Sequence, residues 1–198
     1  MNFFLRRYRK LGEEVKPDEV DLKTSIRINT LKISNEEMEK RLKERDIILK
    51  KIDFLENGYY ADADFSLGAT SEYLQGLYYL QEAASQIPAE ILDPKDELVL
   101  DACAAPGSKT THLSQLMQNK GKLVALDVNR QRIDSLKNNL ERMGCTNTAV
   151  YRMDSRFIEL DLKFDKILLD APCSGNFATD KEWFYKRDMQ GIKANARN

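Results

Sequence analysis

Four short apolar segments, each ending at or just before an aspartate, constrain this chain more than any other feature. They are Leu98-Val99-Leu100 before Asp101, Lys122-Leu123-Val124-Ala125-Leu126 before Asp127, Ala149-Val150-Tyr151 ahead of Asp154, and Phe164 to Leu169 before Asp170. Helical patterns fill the gaps over 108–118 and 129–143, the second closed by Gly144 as a C′ residue. Apolar strands alternating with helices are buried on both faces, which predicts a parallel, doubly wound α/β sheet. Ligands of such sheets sit beyond the carboxyl ends of the strands. A single aspartate there is explained equally well as a cap for the next helix. Four in succession, the first followed by a glycine-bearing loop, predict a binding edge.

Upstream the pattern differs. Residues 1–16 read as a short basic helix that Pro17 ends. Arg6, Arg7, Arg9 and Lys10 fit a solvated helix or an RNA contact equally. Ser25 to Leu31 alternates polar and apolar, the strand period. Ser34 and Glu37 form a capping box that opens a helix over roughly 35–46, with Met38 and Leu42 on its apolar face. Ile47 to Phe54 reads as a strand and Asn57-Gly58 as a turn. Thr70 to Leu92 reads as helical with a break near Gly76, closed by Asp93-Pro94. The expected organisation is a small N-terminal α/β domain over 1–65 and a sheet domain over 66–198, incomplete at its C-terminal end.

Composition excludes more than it selects. With 31 basic and 32 acidic side chains the net charge is -1, which carries no global argument for nucleic acid. Cys103, Cys145 and Cys173 form no C-x-x-C pair, and their odd number fits a disulfide framework badly. The one histidine, His112, completes no zinc site with them at a familiar spacing. No metal is therefore expected, and a reducing, cytoplasmic setting is. No apolar run approaches the roughly 20 residues a membrane span needs.

The loop after the first strand runs Asp101-Ala102-Cys103-Ala104-Ala105-Pro106-Gly107-Ser108-Lys109-Thr110. Small residues admit a ligand close to the backbone, Gly107 can take positive φ, and the following helix offers free N–H groups to a carboxylate. Asp127 is placed to accept from a ribose diol and Asp154 from an adenine amino group. The dinucleotide pattern G-x-G-x-x-G is absent, and the phosphate loop would need glycine where Ala102 and Ser108 stand. A nucleoside cofactor bearing a carboxylate and no phosphates remains, which suits S-adenosylmethionine.

The blocks Asp101-Ala-Cys-Ala-Ala-Pro-Gly-Ser-Lys-Thr110 and Asp170-Ala-Pro-Cys-Ser-Gly175 resemble the RNA 5-methylcytosine methyltransferases of the Sun family. Gln81-Glu82-Ala83-Ala84-Ser85 and Arg27-x-Asn29-Thr30 are similar to further family segments. The resemblance implies a Rossmann-like methyltransferase sheet and S-adenosylmethionine as methyl donor. It implies cofactor contacts at Cys103 to Lys109, Asp127, Arg132, Asp154 and Asp170. The short N-terminal part looks most like archaeal enzymes that act on tRNA, with a monomer expected.

The family's chemistry makes sense of these residue types. Carbon 5 of cytosine is a poor nucleophile until a thiolate adds to carbon 6. A base must later remove the proton from carbon 5. By resemblance, Cys173 assists product release, Asp170 contacts the cytosine edge, and Lys109 supplies positive charge near the base or its phosphate. Cys103 contributes backbone to the loop, and Cys145 has no role. Arg27 and Asn29 read equally as RNA contacts or as outer-face strand residues. Trp183, Phe184 and Tyr185 read as a cluster against the sheet, with base stacking as the alternative.

The family's nucleophile sits in a Thr-Cys pair, and none occurs in these 198 residues. The resemblance implies methyl transfer from S-adenosylmethionine to carbon 5 of cytosine in RNA, with a truncated chain that binds cofactor and RNA without turnover as the first alternative. A second alternative is an amino-group methyltransferase. Those enzymes carry an Asn- or Asp-Pro-Pro-aromatic motif where Asp170-Ala-Pro-Cys stands here.

Overall fold

The structure, a computed structural model, describes residues 2–158, 163–173, 175, 177, 180 and 182–195. They form two compact units, Thr24–Asp170 and a smaller one built from Met1–Lys23 with Ala171–Asn198.

The smaller unit opens with α1 (Phe3–Lys10). The Asn2 side chain caps it by accepting from the Phe4 N–H at 2.8 Å. Arg7, Arg9 and Lys10 occupy its last turn, where the helix dipole favours cations.

The larger unit holds two sheets. The first is antiparallel and combines β1 (Ser25–Ile28), β2 (Ile48–Lys51), β3 (Gly58–Asp62) and β4 (Tyr78–Leu80) in the order β2-β3-β1-β4. Helix α2 (Asn35–Lys43) is capped by Ser34, as the capping box predicts, and buries Met38 and Leu42 completely. They pack with Ile26, Ile28 and Tyr78.

The helix expected over 70–92 breaks more severely than the sequence pattern implies. Helix α3 covers only Ser71–Leu74, and helix α4 starts at Ala83 and runs to Leu92. Between them Gly76, at φ +70, turns the chain. Tyr78 and Leu80 then pair with Ile28 and Ile26 as a strand. A Cβ at Gly76 would lie 1.9 Å from the Arg142 carbonyl oxygen, so only glycine fits that turn. The antiparallel sheet therefore takes its fourth strand from beyond residue 65, where the N-terminal part was expected to stop.

The second sheet is parallel throughout, with β5 (Leu98–Asp101), β6 (Lys122–Asp127), β7 (Thr148–Arg152) and β8 (Lys166–Leu168) in the order β7-β6-β5-β8. Helices α5 (Ser108–Leu116) and α6 (Arg130–Met143) connect them, and Gly144 closes α6 at φ +75. Val99, Leu113, Met117 and Leu123 form one core cluster, while Ala104, Ala125, Leu136 and Leu140 form another.

The smaller unit ends with α7 (Trp183–Lys186) and α8 (Met189–Asn195). Trp183 and Phe184 are buried against Phe4 of α1 rather than against a sheet, and Tyr185 is exposed. No helix among the described residues is long and apolar enough to cross a membrane.

Candidate functional site

The loop from Asp101 to Ser108 is stitched to both neighbours of β5. The Ala102 N–H donates to the Leu168 carbonyl of β8 at 2.9 Å, and the Ala104 N–H to the Leu126 carbonyl of β6 at 2.8 Å. Ala102, Ala104 and Ala105 are buried, as small residues must be where backbone packs on backbone. The Ala105–Pro106 peptide is cis, and Gly107 has φ +105. A Cβ on Gly107 would meet Leu136 Cδ1 of α6 at 2.9 Å. Asn139 of the same helix donates to the Pro106 carbonyl at 2.9 Å. The loop is thus a fixed cradle resting on α6.

Three strand-tip aspartates meet this cradle. Asp101 is 1% exposed. Its Oδ2 accepts from Thr110 Oγ1 at 2.7 Å, but its Oδ1 is buried with no hydrogen-bond partner. Burial pushes its pKa up to about 6, and Asp170 and Lys109 both act on its charge. Asp127 accepts the Ala105 N–H on Oδ2 at 3.2 Å and the Asn129 N–H on Oδ1 at 2.8 Å. Arg132 lies 3.5 Å from that Oδ2 and also donates to the Ala105 carbonyl. A carboxylate offers about four lone-pair directions, so acceptor capacity remains on both oxygens. Asp170 pairs with Lys109 Nζ at 2.6 Å, which ties the tip of β8 to the start of α5.

Asp154 stands somewhat apart. It caps a 3-10 turn by accepting the Arg156 N–H, and the Arg156 side chain holds its carboxyl below the usual range. The capping explanation thus accounts for its present contacts. Cys173 is exposed, and its Sγ accepts from the Gly175 N–H at 3.3 Å. It belongs to the smaller unit, and Ser174 lies outside the described residues. Burial pushes the thiols of Cys103 and Cys145 upward, so neither is poised as a thiolate. Among the described residues no group of three His, Cys, Asp or Glu side chains is placed to hold a metal ion.

Neither reading of Arg27 and Asn29 survives. Both are fully buried, so they are neither RNA contacts nor outer-face residues. β1 is flanked by β3 and β4, and α5 covers the face that alternation alone assigns to solvent. The Arg27 guanidinium donates to Gln115 Oε1 at 3.1 Å, Gln81 Oε1 at 2.5 Å, Thr111 Oγ1 at 2.9 Å and the Ser108 carbonyl at 2.8 Å. It therefore fixes the first turn of α5, at the exit of the cradle. Asn29 donates to the Gly76 and Met143 carbonyls. Thr110, Thr111 and Gln115 are further supports that residue patterns did not single out. Their only sequence signal is their i, i+1 and i+5 placement on the helix that the loop opens.

A parallel sheet with this stitched loop and acidic strand tips defines the class: the Rossmann-like fold of S-adenosylmethionine-dependent methyltransferases. The family model described as 16S rRNA methyltransferase RsmB/F matches residues 89–195, and that of the N-terminal domain of RsmF matches residues 4–83. The chain belongs to this RsmB/F, or Sun, family of RNA 5-methylcytosine methyltransferases. It is 43% identical over 169 residues to the ribosomal RNA small subunit methyltransferase F of Vibrio parahaemolyticus, covering 81% of this chain and 35% of that protein. It spans about a third of the length of the curated relatives it matches. Among solved structures, a methyltransferase homologue from Pyrococcus horikoshii superposes with a TM-score of 0.79 at 41% identity, covering 90% of this chain and 57% of that one. NSun6 from Pyrococcus horikoshii, solved with SFG, superposes with a TM-score of 0.80 at 25% identity, covering 91% and 71%.

Proposed function

We propose that this chain holds S-adenosylmethionine at the tips of the parallel strands and serves the methylation of carbon 5 of cytosine in RNA. One observation carries the reading. The Asp101–Ser108 cradle is tied to the second strand tip through Asp127 and Arg132, and Lys109 at the start of α5 is tied to the fourth through Asp170. The buried Asp101 Oδ1 that lacks a donor supports the fit of a ligand bearing N–H groups.

In this reading the cradle backbone over Cys103 to Ser108 and the N-terminus of α5 receive the amino-acid end. Asp127 accepts from the ribose diol, and Arg132 holds Asp127 and the loop together. Asp154 accepts from the adenine amino group with the lone pairs that Arg156 leaves free. The cofactor, when bound, supplies the methyl group. Asp170, half exposed and paired with Lys109, addresses the cytosine edge, while Lys109 balances its charge. Cys173 is the thiol that assists release. The three cysteines include no Thr-Cys pair, so none of them is assigned the addition to carbon 6. The relatives are named for ribosomal RNA, which favours that substrate over tRNA. The cytoplasm is the expected setting, where free cysteines stay reduced.

Calorimetric titration with S-adenosylmethionine tests the reading. The parent chain should bind, and Asp127→Ala should weaken binding about 100-fold, since two charge-assisted hydrogen bonds are lost. Equal affinity in parent and variant would overturn the assignment of Asp127. No binding by a folded parent chain would sink the methyltransferase reading.

A further inference from the structure

The overall charge of -1 conceals a split. The smaller unit carries eleven Lys and Arg against eight Asp and Glu, a net +3, while Thr24–Asp170 carries twenty against twenty-four, a net -4. A cationic unit on an otherwise acidic chain is the electrostatic footprint of a polyanion partner. Phe3, Arg7 and Lys10 are spaced four and three residues apart, so they share one face of α1. Among the described residues Arg9 pairs with Glu14, whereas the exposed Arg7 and Lys10 pair with no carboxylate.

The same unit has an aromatic core and, beside it, an open cleft. Phe4, Trp183 and Phe184 are buried in the core, with the Phe4 and Trp183 rings 4.7 Å apart. That packing fully accounts for those three. Phe3 touches that core only through an edge-on contact with the Phe4 ring at 5.4 Å, and Phe3, Leu11 and Met189 stay 41%, 71% and 38% exposed and line a cleft of about 500 Å³ together with Arg7 and Gly175. An exposed aromatic ring beside a cation without an acidic partner is poorly explained as core.

The geometry points to a binding site for one unstacked base of single-stranded RNA, with the base against Phe3, Leu11 and Met189 and the backbone phosphates on Arg7 and Lys10. Every base has an apolar π-face, so an aromatic wall beside cations takes single strands with little sequence preference. An apolar protein segment would use the walls but gain nothing from the cations. An acidic one would use the cations but not the open ring. Gly175 forms part of the wall and lies two residues from Cys173. This inference rests on the proposed RNA methyltransferase reading.

The test is a single-stranded oligoribonucleotide carrying one 2-aminopurine, titrated with the whole 198-residue chain while fluorescence and anisotropy are followed. The parent chain should quench the probe at low salt. Phe3→Ala, a change at an exposed ring, should abolish the quench and weaken binding about tenfold. Arg7→Gln should reduce the slope of log affinity against log salt by about 0.7. The same sequence as a duplex should compete poorly. Undiminished quench and affinity in Phe3→Ala, equal competition by the duplex, or no binding by the parent at about 50 mM salt would each overturn the site. A parallel titration with S-adenosylmethionine separates the two readings. A chain that binds the cofactor but not RNA loses the cleft alone. One that binds RNA but not the cofactor loses the methyltransferase reading and keeps the cleft.

Discussion

Arg27→Met should lower the stability of the chain by about 3–5 kcal/mol, or roughly 10 °C in Tm, and weaken S-adenosylmethionine binding at least tenfold. Two opposing effects set this figure. Burial of the guanidinium is costly, and it pulls the Arg27 pKa down to about 9. Methionine removes that cost. It also leaves Gln81 Oε1, Gln115 Oε1 and Thr111 Oγ1 without this donor, while the Ser108 carbonyl keeps the Thr111 hydroxyl at 3.1 Å. Each acceptor left buried and short of a donor costs about 1–3 kcal/mol, so three outweigh the relief of one desolvated cation. The affinity loss has a separate origin, because Ser108 belongs to the first turn of α5 and sets where the cradle ends. Arg27→Lys keeps the charge but not the planar fork, and should fall between parent and Arg27→Met in both measurements. Thermal melts and calorimetry on the three proteins check the prediction. An Arg27→Met chain with unchanged Tm would show that the guanidinium contributes no net stability. Unchanged cofactor affinity would show that α5 needs no support from β1.

Arg27 also marks where the sequence is legible and where it is not. The parallel sheet was readable because its strands are continuous apolar runs, and a run needs no partner to be recognised. The caps at Ser34 and Gly144 were readable because capping is local chemistry. The cradle was readable because its small residues and Gly107 answer a local backbone need. What failed was long-range. Tyr78-Tyr79-Leu80 became a strand only because β1 offers a free edge there, which no local pattern reveals. Period-2 alternation left Arg27 exposed, as an RNA contact or an outer-face residue, but α5, more than eighty residues later in the chain, covers that face. Asp154 illustrates the opposite limit: its place after a strand was legible, while its pairing with Arg156 depends on the three-residue 3-10 turn Ser155–Phe157. The positions of the strand-tip residues were thus visible, and the side chains that brace them were not.

Asp101 carries the converse prediction, a substitution that stabilises the empty protein while weakening its site. Its carboxyl is raised from 3.8 to about 6 by burial, so the folded chain holds this proton more tightly than the unfolded chain does. The stability it contributes is fully present below pH 3.8 and is lost as pH rises through about 6. Above that range the folded protein bears a buried anion whose Oδ1 has no donor. A shift of about two units corresponds to about 3 kcal/mol, an upper figure because relaxation around the charge lowers it. Asp101→Asn is nearly the same size and can keep the hydrogen bond from Thr110, but it cannot ionise. Melts of parent and variant from pH 4 to pH 8 should therefore diverge, with the variant gaining relative stability between pH 4 and pH 6.5 and the gap constant above. Subtracting one curve from the other removes the groups both proteins share, Glu90 among them, whose carboxyl is also raised by burial. Parallel curves would mean that Asp101 does not change its proton affinity on folding. The same variant should bind S-adenosylmethionine about tenfold more weakly, since a carboxylate oxygen lacking a donor is replaced by an amide. Gain in stability together with loss of affinity would identify the buried carboxylate as kept for the ligand rather than for the fold. Stabilisation with unchanged affinity would mean that its charge serves neither.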